Sequence, residues 1–166
     1  MELYLVRHAV AEETSSTGRD ADRALTREGE TKMRRTAQGL RALGVRFDLI
    51  LTSPHRRAAQ TADVLAAVLG GVGPRVVEEL AAGAEVGALL AAVRSHRQVE
   101  ALALVGHQPD LGHLASQIMT GSPDLCPLPF KKGGTACFTI PNPRANLRGE
   151  LEWFMTPKQL RALGQA

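Results

Sequence analysis

The chain has 166 residues, 22% of them charged, with a formal net charge of +3 and two cysteines. That length suits one domain, residues 1–166, able to bury roughly two-thirds of its unfolded surface without covalent staples. Two cysteines make no disulfide framework, no apolar run approaches the ~18 residues of a membrane span, and no basic region precedes the short apolar start; a cytoplasmic protein with no membrane partner is expected.

In chain order, residues 3–6 predict a short apolar strand that runs directly into Arg7 and His8. Residues 27–43 read as a helix with Met33, Ala37 and Leu40 on one face, Thr26 as N-cap, Glu28 and Glu30 in the first turn, and Gly44 as the stop. "DLILTS" predicts a second strand ending at Thr52 and Ser53. Pro54 then opens a helix in which Ala58, Thr61, Ala62, Leu65, Val68 and Leu69 share a face, closed by "GGVGP". "RVVEE" predicts a third strand, and Val86, Leu89, Leu90 and Val93 mark a helix after it. "ALALVG" is a fourth strand, with Leu111, Leu114, Ala115, Ile118 and Met119 on the following helix. Residues 121–134 read as a loop, "TACFTI" and "LEWFM" as strands that suit a hairpin, and Thr156-Pro157 as the start of a terminal helix.

Alternating strands and helices imply an α/β fold: a three-layer α/β/α sandwich around a mostly parallel sheet. In such sheets ligands sit beyond the carboxyl ends of the strands. Three of those ends carry basic or imidazole side chains: Arg7-His8, then Ser53 with His55, Arg56 and Arg57 just behind it, then His107. Core packing does not require that pattern, whereas a cationic pocket for a tetrahedral anion does. Basic-aromatic interleaving is missing and the charges are mixed in sign, so no nucleic-acid partner is expected. Neither cysteine is followed six residues later by arginine, which removes the Cys-x5-Arg phosphate loop, and no strand–Gly-rich turn–Lys-Ser/Thr arrangement exists.

"LVRHA", "TSPHRRAAQT" and "LVGHQPDL", in that order, resemble the histidine phosphatase superfamily, with its phosphoglycerate mutase-like fold. The short chain, "RHAVAE", "DRALTREG" and "GHQPDL" resemble its SixA-type branch, the phosphohistidine phosphatases. The likeness spans roughly residues 3–115. It implies that His8 is a nucleophile and Arg7 its phosphate-binding neighbour. Arg57, directly before Ala-x-Gln-Thr, corresponds to the family's second arginine and His107 to its second histidine. Arg23, in the Arg-x-Leu-Thr segment, joins the pocket lining.

Chemically, two arginine forks, a protonated His107 and a helix N-terminus would surround the equatorial oxygens of a transferring phosphoryl group. A neutral His8 would attack, and water would hydrolyse the resulting phosphohistidine enzyme. A general acid is harder to name. Glu78 and Glu79 after the third strand are candidates. Asp110, in the first turn of a helix, is a poor proton donor because the dipole favours its charged form. His55, His96 and His113 are read as ordinary surface or partly buried histidines, Arg56, Arg34 and Arg35 as solvated, and Lys131-Lys132 as a short basic pair that needs no function. No cofactor is expected, and no metal, since His107 and His113 do not share a helix face.

The leading expectation is a metal-independent phosphatase acting on phosphohistidine, for instance on a phosphohistidine-bearing signalling protein. The alternatives are a small-molecule phosphomonoesterase of the same fold and a phospho-ligand or phosphoprotein binding module without catalysis.

Overall fold

The computed structural model describes residues 1–165. Six strands form one mixed sheet in the order β3-β2-β4-β1-β5-β6. They are β1 (Glu2–Arg7), β2 (Leu49–Thr52), β3 (Arg75–Val76), β4 (Ala101–Gly106), β5 (Thr135–Thr139) and β6 (Glu150–Met155). The first four are mutually parallel, and β5 runs antiparallel to both β1 and β6. Five helices accompany them: α1 (Arg27–Ala42), α2 (Arg56–Leu69), α3 (Val86–Ser95), α4 (Asp110–Thr120) and α5 (Pro157–Leu163).

The central strands are apolar on both faces because both faces are covered. Successive side chains of a strand point to opposite sides. Leu3 and Leu5, with Leu102 and Leu104, therefore join Leu89, Val93, Leu111 and Leu114 from α3 and α4. Tyr4 and Val6, with Ala103 and Val105, join Met33, Leu40, Ala62, Leu65 and Leu160 from α1, α2 and α5. The result is the three-layer α/β/α sandwich, and Gly39 lets α1 and α5 close on one face. A Cβ there would meet the Leu160 carbonyl oxygen.

Several boundaries differ from expectation. Pro54 does not open α2. The helix starts at Arg56, with His55 in extended conformation at the N-cap. The third strand shrinks to two exposed residues on the sheet edge, because the chain then turns through Glu78–Leu80 to bury Leu80. The β5 and β6 strands pair as expected, with a bulge at Cys137/Phe138, but ten residues connect them in place of a tight turn. Thr26 caps α1 by accepting from the Gly29 amide, and Thr156 with Gln159 forms a capping box on α5.

Both cysteines are free thiols, Cys126 exposed and Cys137 buried. Among the described residues, no helix is long and apolar enough to cross a membrane.

Candidate active site

The sheet register brings the predicted residues together. Arg7 pairs with Gly106 across β1 and β4, and Thr52 pairs with Val105 across β2 and β4. The amide of His8 donates to the Gly106 carbonyl, and that of Ser53 to the Val105 carbonyl, each at 3.0 Å. His8, Ser53 and His107 thus leave three adjacent strands at one edge, all buried. The His8 and His107 rings lie 5.2 Å apart, centroid to centroid.

The orientation of His8 is set by its own backbone neighbour. Its Nδ1–H donates to the Ala9 carbonyl at 2.7 Å. A carbonyl can only accept, so the proton sits on Nδ1 and the Nε2 lone pair is free. Burial is the main cause that pushes the His8 pKa down, to about 4, while the Ala9 bond opposes it and Arg57, Arg7 and Lys132 add to the fall. Lys132, read from sequence as half of a basic pair that needs no function, therefore acts on the site at a distance.

The two arginines are held from behind. Arg7 Nη1 donates to the Phe130 carbonyl at 2.6 Å, and the Gly133 amide reaches the carbonyls of Arg7 and His8. The Pro/Gly-rich loop thus clamps the end of β1. Arg57 is buried in the first turn of α2 and Arg56 is exposed. Arg57 donates from Nη1 to the Asp20 carbonyl at 2.8 Å and from Nη2 to Asp20 Oδ2 at 2.9 Å. Arg23 Nε stands 3.3 Å from Asp20 Oδ1. Among the described residues, six buried side-chain atoms have no hydrogen-bond partner, and four are nitrogens of this cluster: Nε of Arg7 and of Arg57, and, beside the Asp20 carboxylate, Nε of Arg23 and Nδ1 of His55. Buried N–H groups are seldom left unpaired, and the Nε groups of Arg7 and Arg57 are donors that can serve an anion at this edge.

The Ala-x-Gln-Thr segment acts as scaffold. Gln60 Oε1 accepts from the Leu25 amide at 2.7 Å, which anchors the loop carrying Asp20 and Arg23. Thr61 Oγ1 accepts from the Ala9 amide at 3.0 Å and donates to the Arg57 carbonyl at 2.6 Å, which ties the residue after His8 to α2.

The proton expected on His107 belongs to the complex with a phosphoryl group, and without that anion the ring's pKa is held low. Burial, followed by the nearby His8, Arg57 and His55, lowers its pKa to about 3, and its Nε2 shares a 2.8 Å hydrogen bond with Ser53 Oγ. His55 is partly buried, one of the two expected placements, but its membership of this cluster carried no sequence signal. Its ring packs edge-on against His107 at 4.8 Å, its Nδ1 lies 3.7 Å from Asp20 Oδ2, and its side chain is 17% exposed. Asp20 was missed entirely, since a lone aspartate in a polar loop carries no sequence signal. Glu78 and Glu79 are both exposed on the turn after β3, and only Glu78 acts electrostatically on His55. Asp110 accepts from the Gly83 amide through Oδ2 at 2.8 Å, which gives it a structural partner. No three His, Cys, Asp or Glu side chains among the described residues form a metal-ligand set.

A pH dependence follows from the two buried imidazoles. Both have folded-state pKa values below the unfolded ~6.5, at about 4 and about 3. The unfolded chain takes up their protons first, so their contribution to stability is full above pH ~6.5 and is lost as pH falls toward those values. Urea unfolding between pH 7 and 4 is expected to show a falling midpoint. The fall should be shallower in His107→Gln, and an identical slope in both proteins would contradict the burial argument.

A family model described as "Histidine phosphatase superfamily (branch 1)" matches residues 3–88. An uncharacterised protein of Picosynechococcus is 46% identical over 123 residues, covering 73% of this chain and 74% of that one. The solved structure of the protein histidine phosphatase SixA complexed with tungstate superposes with a TM-score of 0.85 at 26% identity, over 96% of this chain and 99% of its own. The α-ribazole phosphatase of Shigella flexneri, 16% identical, shares the fold with a TM-score of 0.71, over 95% of this chain and 97% of its own.

Proposed function

This chain belongs to the histidine phosphatase superfamily, and from that premise we propose that it is a phosphatase whose preferred substrate is phosphohistidine, carried on a peptide or protein. The observation that supports this most is the neutral, correctly tautomerised His8 among cationic donors with no carboxyl group hydrogen-bonded to it. A free Nε2 lone pair is a nucleophile, and a module that only bound phosphate would have no use for it.

The leaving group decides the substrate. An alkoxide departs badly unless an acid protonates it. A phosphorylated imidazole protonated on its distal nitrogen departs as a neutral ring and needs no acid from the protein. Attack by His8 Nε2 forms one P–N bond and breaks another, so the phosphoryl group passes between chemically similar nitrogens. The arginines hold its oxygens throughout, as the loose transition state of phosphoryl transfer requires. The complex of the structurally similar SixA with tungstate, a tetrahedral oxyanion, supports a phosphate-like ligand for this chain. The small-molecule reading draws on Glu78, the one candidate acid within electrostatic reach of the histidine cluster.

The test compares kcat/KM for a phosphohistidine peptide, a phosphoserine peptide and phosphoglycerate in one buffer. The phosphohistidine peptide is expected to be the best of the three. Chelator should leave that activity intact, because the cations come from side chains, and vanadate should inhibit it. A clear preference for an alkyl phosphate would replace this reading with the small-molecule one and direct attention to Glu78→Gln.

A further inference from the structure

We propose that His55 is the general base that activates the water hydrolysing phosphorylated His8, a role that rests on the phosphatase reading above. The second half of the reaction needs such a group. Once the substrate's ring has left, the phosphoryl group is bonded to His8 Nε2, and the attacking water must approach phosphorus from the opposite side. A base for that water must therefore stand across the phosphoryl site from His8 and not against it.

His55 is the imidazole of this edge that can meet that requirement. Its ring packs against His107 at 4.8 Å, and the His107 ring against His8 at 5.2 Å. His8 and His107 are buried, whereas the His55 side chain is partly open to solvent. Its backbone is fixed by the Ser53 hydroxyl, which accepts from the His55 amide at 3.2 Å. Its Nδ1 faces Asp20 Oδ2 at 3.7 Å. A carboxylate there favours the tautomer with the proton on Nδ1, leaving the Nε2 lone pair for water. Asp20 is thus a positioning residue for both His55 and Arg57.

The charges around His55 support a base that is neutral near pH 7. Burial and Arg57 lower its pKa, with a smaller lowering from Arg23, while Asp20 and Glu78 act in the opposite sense. His107, packed against the ring, is itself neutral in the free protein. The step balances. Water oxygen bonds to phosphorus, the P–Nε2 bond breaks with its electron pair returning to Nε2, and His8 leaves neutral with its proton still on Nδ1. The proton lost by water goes to His55 and then to solvent, and hydrogen phosphate departs.

The experiment separates the two half-reactions. Rapid quenching of the full chain with a labelled phosphohistidine peptide, and in parallel with p-nitrophenyl phosphate, reads formation of the labelled enzyme, and steady-state turnover reads its decay. In His55→Phe, which keeps a ring against His107, the labelling burst should retain its rate and amplitude. Turnover should fall about 100-fold, a typical loss for a general base, and the labelled enzyme should accumulate. The acid limb of the wild-type kcat profile should vanish. In His55→Ala, added imidazole should restore turnover. Slowing of the burst in step with turnover, or turnover within threefold of wild type, would overturn the proposal. Wild-type labelling by p-nitrophenyl phosphate but not by the peptide would sink the phosphohistidine reading while leaving the His55 assignment to be judged on that ester. No labelling by either would sink both.

Discussion

Replacing His8 with alanine is expected to abolish covalent labelling and to lower kcat by on the order of 10⁴-fold or more, the scale at which enzymes lose a nucleophile. Wild-type protein quenched with a labelled phosphodonor should carry label that is acid-labile and base-stable, as a phosphoramidate is. A real competitor for that label exists in the same cluster. Ser53 Oγ lies 2.8 Å from His107 Nε2, a contact with the look of an activated serine. Three features argue against it. Ser53 is fully buried, its Oγ already accepts from the His55 amide, and the His107 imidazole beside it is a weak base once its pKa is driven down to about 3. His8 has its proton parked on the Ala9 carbonyl and its other nitrogen free. Phosphoserine is acid-stable and base-labile, so the stability of the label distinguishes the two. Base-labile label, or label surviving in His8→Ala, would transfer the nucleophile to Ser53.

The strand-end rule made most of this edge legible from sequence. Arg7, His8 and His107 stand within two residues of where apolar runs stop, and parallel strands in register must deliver them side by side. Arg57 could be told from Arg56 by its place before Ala-x-Gln-Thr. The structure supplies the physical reason for those residues, with Gln60 and Thr61 binding the backbone of two other segments. What stayed illegible depends on side chains meeting across the fold. Asp20 reaches Arg57 from 37 residues away along a loop without hydrophobic periodicity. His55 was passed over because its neighbours suggested a helical surface position, and only the later start of α2 turns its ring toward His107. The low pKa of His107 in the anion-free site was illegible for a related reason. Placing an imidazole near a phosphate site suggests a cation, but burial together with three other positive or titratable neighbours outweighs that when no anion is present. The shortened third strand reflects an edge position, where a single pairing partner and exposed side chains give extended structure little support.

The adjacent arginines offer the sharpest mutational contrast. Arg57→Ala is expected to lower kcat/KM for p-nitrophenyl phosphate by roughly 10²–10³-fold, corresponding to the ~3–4 kcal/mol lost with one preorganised transition-state donor. Arg56→Ala should stay within about threefold, since successive helical side chains point ~100° apart and Arg56 faces solvent. The loss at Arg57 is not a stability effect in disguise. Its ion-pair partner Asp20 has a side chain that is 59% exposed, so water can replace the guanidinium around that carboxylate. Arg57→Lys should recover little. Asp20 engages both terminal nitrogens of the Arg57 fork, while Nε is buried without a partner. An ammonium on a flexible stem is a point charge that cannot serve a carboxylate on one side and an oxyanion on the other from fixed directions. Vanadate inhibition should weaken in parallel with kcat/KM in the Arg57 variants, because both depend on the same five-coordinate geometry at phosphorus. If Arg56→Ala proved the more damaging change, the basic side chain facing the phosphate would be the one preceding Arg57, and α2 would have to begin in a different helical phase from the one that buries Ala58, Ala62 and Leu65.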